Sequence, residues 1–209
     1  MNFSFETLRP DYEQWISQAV LLPVPERQAQ DVAKRLLLSK DRFLTLQKTS
    51  GVPALWVMPV FERENPSFST YLGNGDSLSR ATVHVPKHRG PFGSWEEGAL
   101  DALALDGITG HADWNWPFAC YMWEKWNGFG PRQHGRPTGY VTAGTNIYQG
   151  GKYIADGEWS RGTWDHQLGT IIIAKALVAL SPDLDFSATP VAPPIPPQAK
   201  LSASPSHPA

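Results

Sequence analysis

The sequence predicts an α+β protein that is predominantly α-helical and carries one small β-hairpin. Over most of residues 1–180, apolar residues recur every three or four positions, which is the spacing of amphipathic helices. One strong tight-turn signal, Gly73-Asn74-Gly75-Asp76, interrupts this pattern between two short segments of strand-forming residues. The chain then ends in a segment of a different kind, residues 181–209, which holds eight of the 19 prolines and no glycine or tryptophan.

Four helices are predicted before the turn signal. Tyr12 and Trp15 share one face of the first helix, Pro25 suits the first turn of the second, and Asp41 suits the N-cap of the third. The fourth is strongly apolar, is kinked or shifted at Pro59, and ends in a polar cluster. The predicted ranges are 11–22, 25–40, 41–50 and 52–63, and the polar cluster is Glu62-Arg63-Glu64-Asn65.

The hairpin is predicted from about residue 69 to residue 86, around the turn signal. After a loop, Ser94 is expected to cap a helix, with Glu97 at its third position completing a capping box. Another apolar helix is predicted over 116–126, and a last one over 163–180. The glycine-rich stretch between them, 128–163, is expected to be mostly loop.

These patterns divide the chain into one folded domain, residues 1–180, and a proline-rich disordered tail, residues 181–209. Closely spaced prolines favour an extended, polyproline-like arm. The tail is therefore expected to bury little apolar surface, so that its removal from about Pro182 onward should change stability little.

Composition excludes several classes of function. The net charge is −2, so nothing favours binding to a nucleic-acid backbone, and no apolar run reaches the ~20 residues of a membrane helix. One cysteine, Cys120, permits no intrachain disulfide, and no phosphate-binding loop or zinc motif is present. We therefore expect no cofactor and no metal ion. A monomer is the default expectation. Because the N-terminus lacks a signal-peptide pattern, synthesis in the cytoplasm is expected.

Carboxylates beside the predicted hairpin are the main candidates for chemistry. Glu64 stands where the apolar helix ends, Asp76 lies in the turn, and Thr82 follows it. A Glu at the end of a buried helix loses hydration, which raises its pKa and suits a general acid that protonates a glycosidic oxygen. Glu62 is an alternative acid, and Asp76 equally suits an Asx turn without a catalytic role.

The spacing of these three residues, Glu64-x11-Asp76-x5-Thr82, is similar to the Glu…Asp…Thr constellation of phage-type lysozymes. Between about residues 50 and 180 the chain also resembles a phage and bacterial lysozyme-like family of the endolysin type. The stretches that carry this resemblance are Arg63-Glu64, Tyr71-Leu72-Gly73-Asn74-Gly75-Asp76, Val83-His84-Val85-Pro86-Lys87, Arg89-Gly90-Pro91-Phe92, Trp95-Glu96-Glu97-Gly98-Ala99, Trp126-Asn127-Gly128-Phe129-Gly130, Gly144-Thr145-Asn146-Ile147-Tyr148 and Gly151-Lys152-Tyr153-Ile154-Ala155-Asp156-Gly157.

The resemblance implies a lysozyme-like fold and cleavage of peptidoglycan glycan strands after release of the enzyme to the cell wall. Glu64 would be the general acid, assisted by Asp76 and Thr82. The second half of the domain is expected to line the groove with amide, phenol and charged groups that bind saccharide. These candidates are Glu124, Asn127, Tyr140, Asn146, Tyr148 and Lys152.

Two alternatives stay open at this stage. A lytic transglycosylase needs only one Glu, because a hydroxyl of the sugar itself closes the anhydro ring. A non-catalytic peptidoglycan-binding protein could use the same aromatic loops on the same fold, since a fold does not fix a function.

Overall fold

The structure is a computed structural model that describes residues 3–186. This part of the chain forms helices and one two-stranded antiparallel sheet, which confirms the predicted helix-dominated α+β class. In chain order the elements are α1 (Phe5–Gln18), α2 (Pro23–Leu37), α3 (Lys40–Ser50), α4 (Ala54–Glu64), α5 (Trp95–Leu105), α6 (Trp116–Asn127), α7 (Gly130–Gln133), α8 (Gly139–Thr142), β1 (Lys152–Ala155), β2 (Glu158–Ser160) and α9 (Thr170–Leu180).

Helix α4 is the centre of the core. All eight residues from Ala54 to Phe61 are buried, as expected for a helix that is apolar on every side. It packs against α3, α6 and α9. The indole of Trp56 donates to the carbonyl of Ala119 at 3.2 Å, and Trp123 donates back to the carbonyl of Trp56 at 3.1 Å. These reciprocal bonds join α4 to α6 and fix where the polar last turn of α4 emerges.

The other helices surround α4 in pairs, α1 with α6, α2 with α9, and α3 with α5. Helix α9 is more apolar in composition than α4, with Lys175 as its single charged residue, and Ile171, Ile172 and Ile173 are all fully buried. Across residues 3–186, no helix combines the length and the apolar character that crossing a membrane requires.

The predicted N-cap of α5 is confirmed, whereas the predicted capping box is not formed in full, because the Glu97 carboxylate bonds to Gly93 and not to the backbone of Ser94. Ser94 is the N-cap, and its hydroxyl accepts from the backbone N–H of Glu97 at 3.2 Å. The Glu97 carboxylate accepts from the N–H of Gly93, one residue before the cap. Side-chain oxygens thus satisfy donors that the helix itself leaves free.

The predicted hairpin at 69–86 is wrong. That region holds only the single antiparallel bridge between Thr70 and Ser77, followed by turns and loop. The backbone N–H groups of Val83 and His84, which a strand ladder would need, donate instead to the carboxylate of Asp76. The hydrogen bonds to the short Asp76 side chain therefore replace those that a sheet would need.

The sheet lies in the stretch that was expected to be loop. Strands β1 and β2 pair in antiparallel fashion, with Tyr153 opposite Trp159, around the turn Asp156-Gly157. Gly157 has φ +72°, a backbone conformation that glycine tolerates best. The Asp-Gly signal for this hairpin was present in the sequence but stood among many other glycines.

Several helix boundaries also differ from the predictions, most of all the first residues of α1 and α9. Helix α1 begins at Phe5 rather than at Asp11, because Ser4 provides an N-cap and Pro10 is tolerated inside the helix. Helix α9 begins at Thr170 rather than near Thr163, because the preceding residues run back along the cleft described below.

The folded domain extends beyond residue 180, so the predicted boundary is too early. Leu184 and Phe186 are buried at 3% and 4% exposure, and the Phe186 ring meets the edge of Trp116 at a centroid distance of 5.1 Å. Asp183 forms an ion pair with Lys40. The burial of Leu184 and Phe186 argues against the expectation that the tail can be removed with little loss of stability. The rest of the predicted tail, 187–209, lies outside the described residues.

Replacing Phe186 with Ala should lower the free energy of unfolding by about 3 kcal/mol, because a buried aromatic ring is removed. For a domain of this size the melting temperature should fall by about 6 to 12 °C. Leu38→Ala is the matched control, since Leu38 is 87% exposed. The measurement is thermal unfolding of both variants and of two truncated chains, one ending at Leu180 and one at Phe186. Equal melting temperatures of the two truncated chains would contradict a stabilising role of residues 181–186.

Candidate active site

Glu64, the last residue of α4, points its carboxyl group into the fold rather than into open solvent. Its Oε1 accepts a hydrogen bond from Trp126 Nε1 at 2.9 Å and another from the hydroxyl of Tyr140 at 2.8 Å. Trp126 belongs to the last turn of α6 and Tyr140 to α8. Three separate elements therefore converge on one carboxyl group.

Burial raises the pKa of Glu64 above its ordinary value. The hydrogen bonds from Trp126 and Tyr140 and the charge of Arg63 act in the opposite direction but are smaller. Desolvation disfavours the ionised carboxylate, so Glu64 keeps its proton to a higher pH than a surface Glu. A retained proton is the property that a general acid requires.

Two cavities meet at Glu64 and Asn127, which line both of them. The larger, of about 380 Å³, is called here the Lys152 pocket, and the smaller, of about 340 Å³, the Leu72 pocket. The Lys152 pocket is otherwise lined by Arg63, Gly130, Pro131, Thr138, Gly139, Tyr140, Gly151, Lys152, Tyr153, Asp165 and Gln167. The Leu72 pocket is otherwise lined by Tyr71, Leu72, Gly73, Val85, Pro86, Ala102, Leu105, Asp106 and Trp126.

Together the two pockets form a cleft with Glu64 near its middle. Such an arrangement leaves room for an elongated ligand that occupies both pockets and passes Glu64. The walls supply polar groups for orientation and aromatic or aliphatic surface for the faces of the units.

Three predicted saccharide-binding residues lie in this cleft. Asn127 stands at the junction of the two pockets, while Tyr140 and Lys152 line the Lys152 pocket. The alternative acid, Glu62, lines neither pocket and forms an ion pair with Arg35. The position of Glu64 at the junction of the pockets therefore favours it over Glu62 as the candidate acid.

Asp76 and Thr82 line neither pocket, contrary to their predicted catalytic roles. Asp76 Oδ2 accepts from the backbone N–H groups of Val83 and His84, and Oδ1 lies 2.8 Å from His84 Nδ1. These bonds, the backbone bond from His84 first, hold the pKa of Asp76 below its ordinary value. Thr82 donates to the carbonyl of Pro86 and accepts from the N–H of Arg89. Both residues shape the loop whose Val85 and Pro86 form part of the cleft wall.

Glu124, Asn146 and Tyr148 were predicted to bind saccharide, but they are structural side chains outside the cleft lining. Glu124 is fully buried and accepts from Tyr12 and from Arg132, both at 2.7 Å, which ties α1 and α7 to α6. Asn146 accepts from the backbone N–H of a residue in the α1–α2 connection. Tyr148 supports Asp165, whose backbone N–H donates to its hydroxyl at 2.9 Å.

Two cleft carboxylates were missed by the sequence reasoning, Asp165 and Asp106. Burial raises the pKa of Asp165, but the charges of Arg63 and Lys152 outweigh it and hold that pKa below the ordinary value. Asp106 ends α5 in the Leu72 pocket, where partial loss of hydration raises its pKa against the charge of Lys125. No motif in the sequence brings either residue to Glu64, because both come from distant chain segments.

No group of His, Cys, Asp or Glu in residues 3–186 is arranged to hold a metal ion. The chain was also compared with known proteins. No family model, no curated protein and no solved structure matches it.

Glu64→Gln should raise the melting temperature at pH 7 but not near pH 4 or below. Because folding raises the pKa of Glu64, stability is lost as pH rises from the unfolded pKa through the folded one, and the neutral amide avoids this loss.

Asp165→Asn should have the opposite effect and lower the stability of the protein at neutral pH. Folding lowers the pKa of Asp165, so its contribution is present at neutral pH and lost in acid, and removing it leaves the buried Arg63 unpaired. A cost of about 3 kcal/mol is expected at pH 7. Thermal unfolding of both variants is measured from pH 3 to 8. A lower melting temperature of Glu64→Gln than of wild type at pH 7 would mean that burial does not disfavour the ionised form of Glu64.

Proposed function

We propose that this protein is a peptidoglycan-degrading glycoside hydrolase of the lysozyme type, with Glu64 as its general acid. The observation that carries the proposal is a carboxyl group with a raised pKa at the junction of two pockets, oriented by two hydrogen-bond donors. A polymer that runs through both pockets presents a glycosidic oxygen to this group.

The hydrogen bonds identify the oxygen that acts. Oε1 of Glu64 accepts from both Trp126 and Tyr140, so Oε2 carries the proton and donates it to the glycosidic oxygen. When the glycosidic bond breaks, the leaving sugar keeps that proton and Glu64 becomes a carboxylate. In hydrolysis, water then bonds to the anomeric carbon and its released proton restores the acid. The two donors then stabilise the new charge at no further cost in reorganisation.

The proposal includes a lysozyme-like fold for residues 3–186. Its support is the acid at the end of a buried helix, beside a loop region anchored by Asp76 and Thr82. The same residues carry the resemblance to the phage and bacterial lysozyme-like family. Asp76 serves there as a loop anchor rather than as a second reacting carboxylate.

A lytic transglycosylase is the second candidate, and the position of Asp76 favours it. If no second carboxylate activates water, a hydroxyl of the sugar attacks instead and yields a 1,6-anhydro product. Asp106, in the Leu72 pocket with Glu64, is the carboxylate that would restore the hydrolytic route. Mass spectrometry of the products separates the two reactions, because hydrolysis leaves reducing ends.

Glu64→Gln should reduce peptidoglycan cleavage at least ~100-fold, because the amide cannot deliver a proton. Loss of turbidity of purified sacculi measures the rate. Glu62→Gln is the matched control and should keep activity within a factor of about two, since its partner Arg35 lies away from the cleft. Equal rates for Glu64→Gln and wild type would refute the assignment, and binding without any new chain ends would favour a non-catalytic protein.

The alkaline limb of the pH–activity profile should follow the ionisation of Glu64. Tyr140→Phe removes a donor that stabilises the ionised form, so the pKa of Glu64 rises and the alkaline limb moves to higher pH. Tyr121→Phe removes the same hydroxyl from a tyrosine that lines neither pocket and should leave the limb in place. A profile that is flat from pH 4 to 9 in the wild type would refute the role of Glu64.

A further inference from the structure

The Lys152 pocket contains two cations that share one carboxylate. Asp165 Oδ2 accepts from Arg63 at 2.8 Å, and Asp165 Oδ1 accepts from Lys152 Nζ at 3.2 Å. The one other carboxyl group in this pocket is Glu64, which is neutral while it carries its proton. In the state that donates a proton, the described lining of the pocket therefore holds one uncompensated positive charge.

Arg63 is not the cation that meets a ligand. Its side chain is 6% exposed, its guanidinium lies 4.6 Å from the centre of the Tyr140 ring, and it also donates to the carbonyl of Leu168. These contacts hold it inside the wall, where it fixes Asp165 and the ring that bonds Glu64.

Lys152 is the accessible cation. Its side chain is 43% exposed, and its bond to Asp165 occupies one of the three hydrogens of the ammonium group. Because the bond to Asp165 holds the ammonium at the pocket wall, less conformational entropy is lost when a ligand binds.

The Leu72 pocket has the opposite character. Its own charged residue besides Glu64 is the acid Asp106, and its lining residues include no Lys or Arg. An anionic group on the substrate is therefore attracted to one end of the cleft and repelled from the other.

We infer that the Lys152 pocket is a carboxylate-binding subsite, which selects glycan strands that bear acidic substituents over neutral N-acetylglucosamine polymers. This inference rests on the proposed function, whose substrate it specifies. In peptidoglycan a carboxylate is available from two sources, the stem peptide and, where the peptide has been removed, the lactyl ether of the muramic unit. An anionic unit seated at Lys152 fixes the direction of the strand across Glu64.

Binding to the Glu64→Gln protein, which holds the neutral form of the site and is not expected to cleave, tests the inference. The probes are soluble glycan strands with stem peptides, the same strands after enzymatic removal of the peptides, and the neutral hexamer of N-acetylglucosamine. Adding Lys152→Gln should weaken the binding of at least one carboxylate-bearing probe about tenfold and change that of the hexamer less than about twofold.

Three controls test whether the loss of affinity in Lys152→Gln arises from the loss of its charge. Lys152→Arg should restore most of the affinity, Lys48→Gln on α3 should have no effect, and 0.5 M salt should reduce the difference between probes. An equal loss of affinity for all probes would mean that Lys152 only supports the fold of the site. No loss of affinity for any probe would mean that Lys152 does not contact the ligand. Either result overturns the inference.

The comparison of the two carboxylate-bearing probes identifies the source of the anion. A loss confined to strands with peptides assigns the pocket to the stem peptide, and a loss confined to stripped strands assigns it to the lactyl group. Wild-type cleavage of the same strands is measured in parallel. Absence of cleavage would refute the proposed hydrolase and leave the binding result standing, whereas cleavage that is insensitive to Lys152→Gln would refute the subsite alone.

Discussion

The structure is organised around the burial of one carboxyl group at the end of one apolar helix. Helix α4 is enclosed on all sides, so its last turn emerges at a fixed place, and Glu64 occupies that place. A buried acid without partners is costly, and the fold meets this constraint with Trp126 and Tyr140 from two other elements. The position of α6, of α8 and of the cleft between them follows from the need to bring these donors together.

A continuous set of contacts supports this acid from one side. Tyr148 holds the backbone of Asp165, Asp165 holds Arg63, and Arg63 lies against the ring of Tyr140, whose hydroxyl bonds Glu64. Each member is fixed by the next, so the geometry of the acid also depends on Tyr148, which lines neither pocket. Side chains locked in this way maintain a site more accurately than mobile loops do.

These charged side chains thus have two different roles. Asp76 and Glu124 satisfy backbone donors or buried cations and hold loops and helices in place. Glu64, Asp106 and Lys152 face the cleft, where their charge acts on whatever enters it. Residue type alone does not distinguish these groups, since a carboxylate suits a structural bond as well as a reaction.

The sequence by itself determined the helix-dominated class, the central apolar helix, the cap at Ser94 and the place of Glu64 at the end of the apolar helix. These features depend on local periodicity, local hydrogen bonding and the position of one polar residue after an apolar run. Only the tertiary structure decided that β1 and β2 form the sheet, that Phe186 belongs to the core and that Asp165 and Asp106 share the cleft with Glu64. These features join segments far apart in the chain, and spacing along a sequence does not encode which distant side chains compete for the same donors, cations or apolar surface.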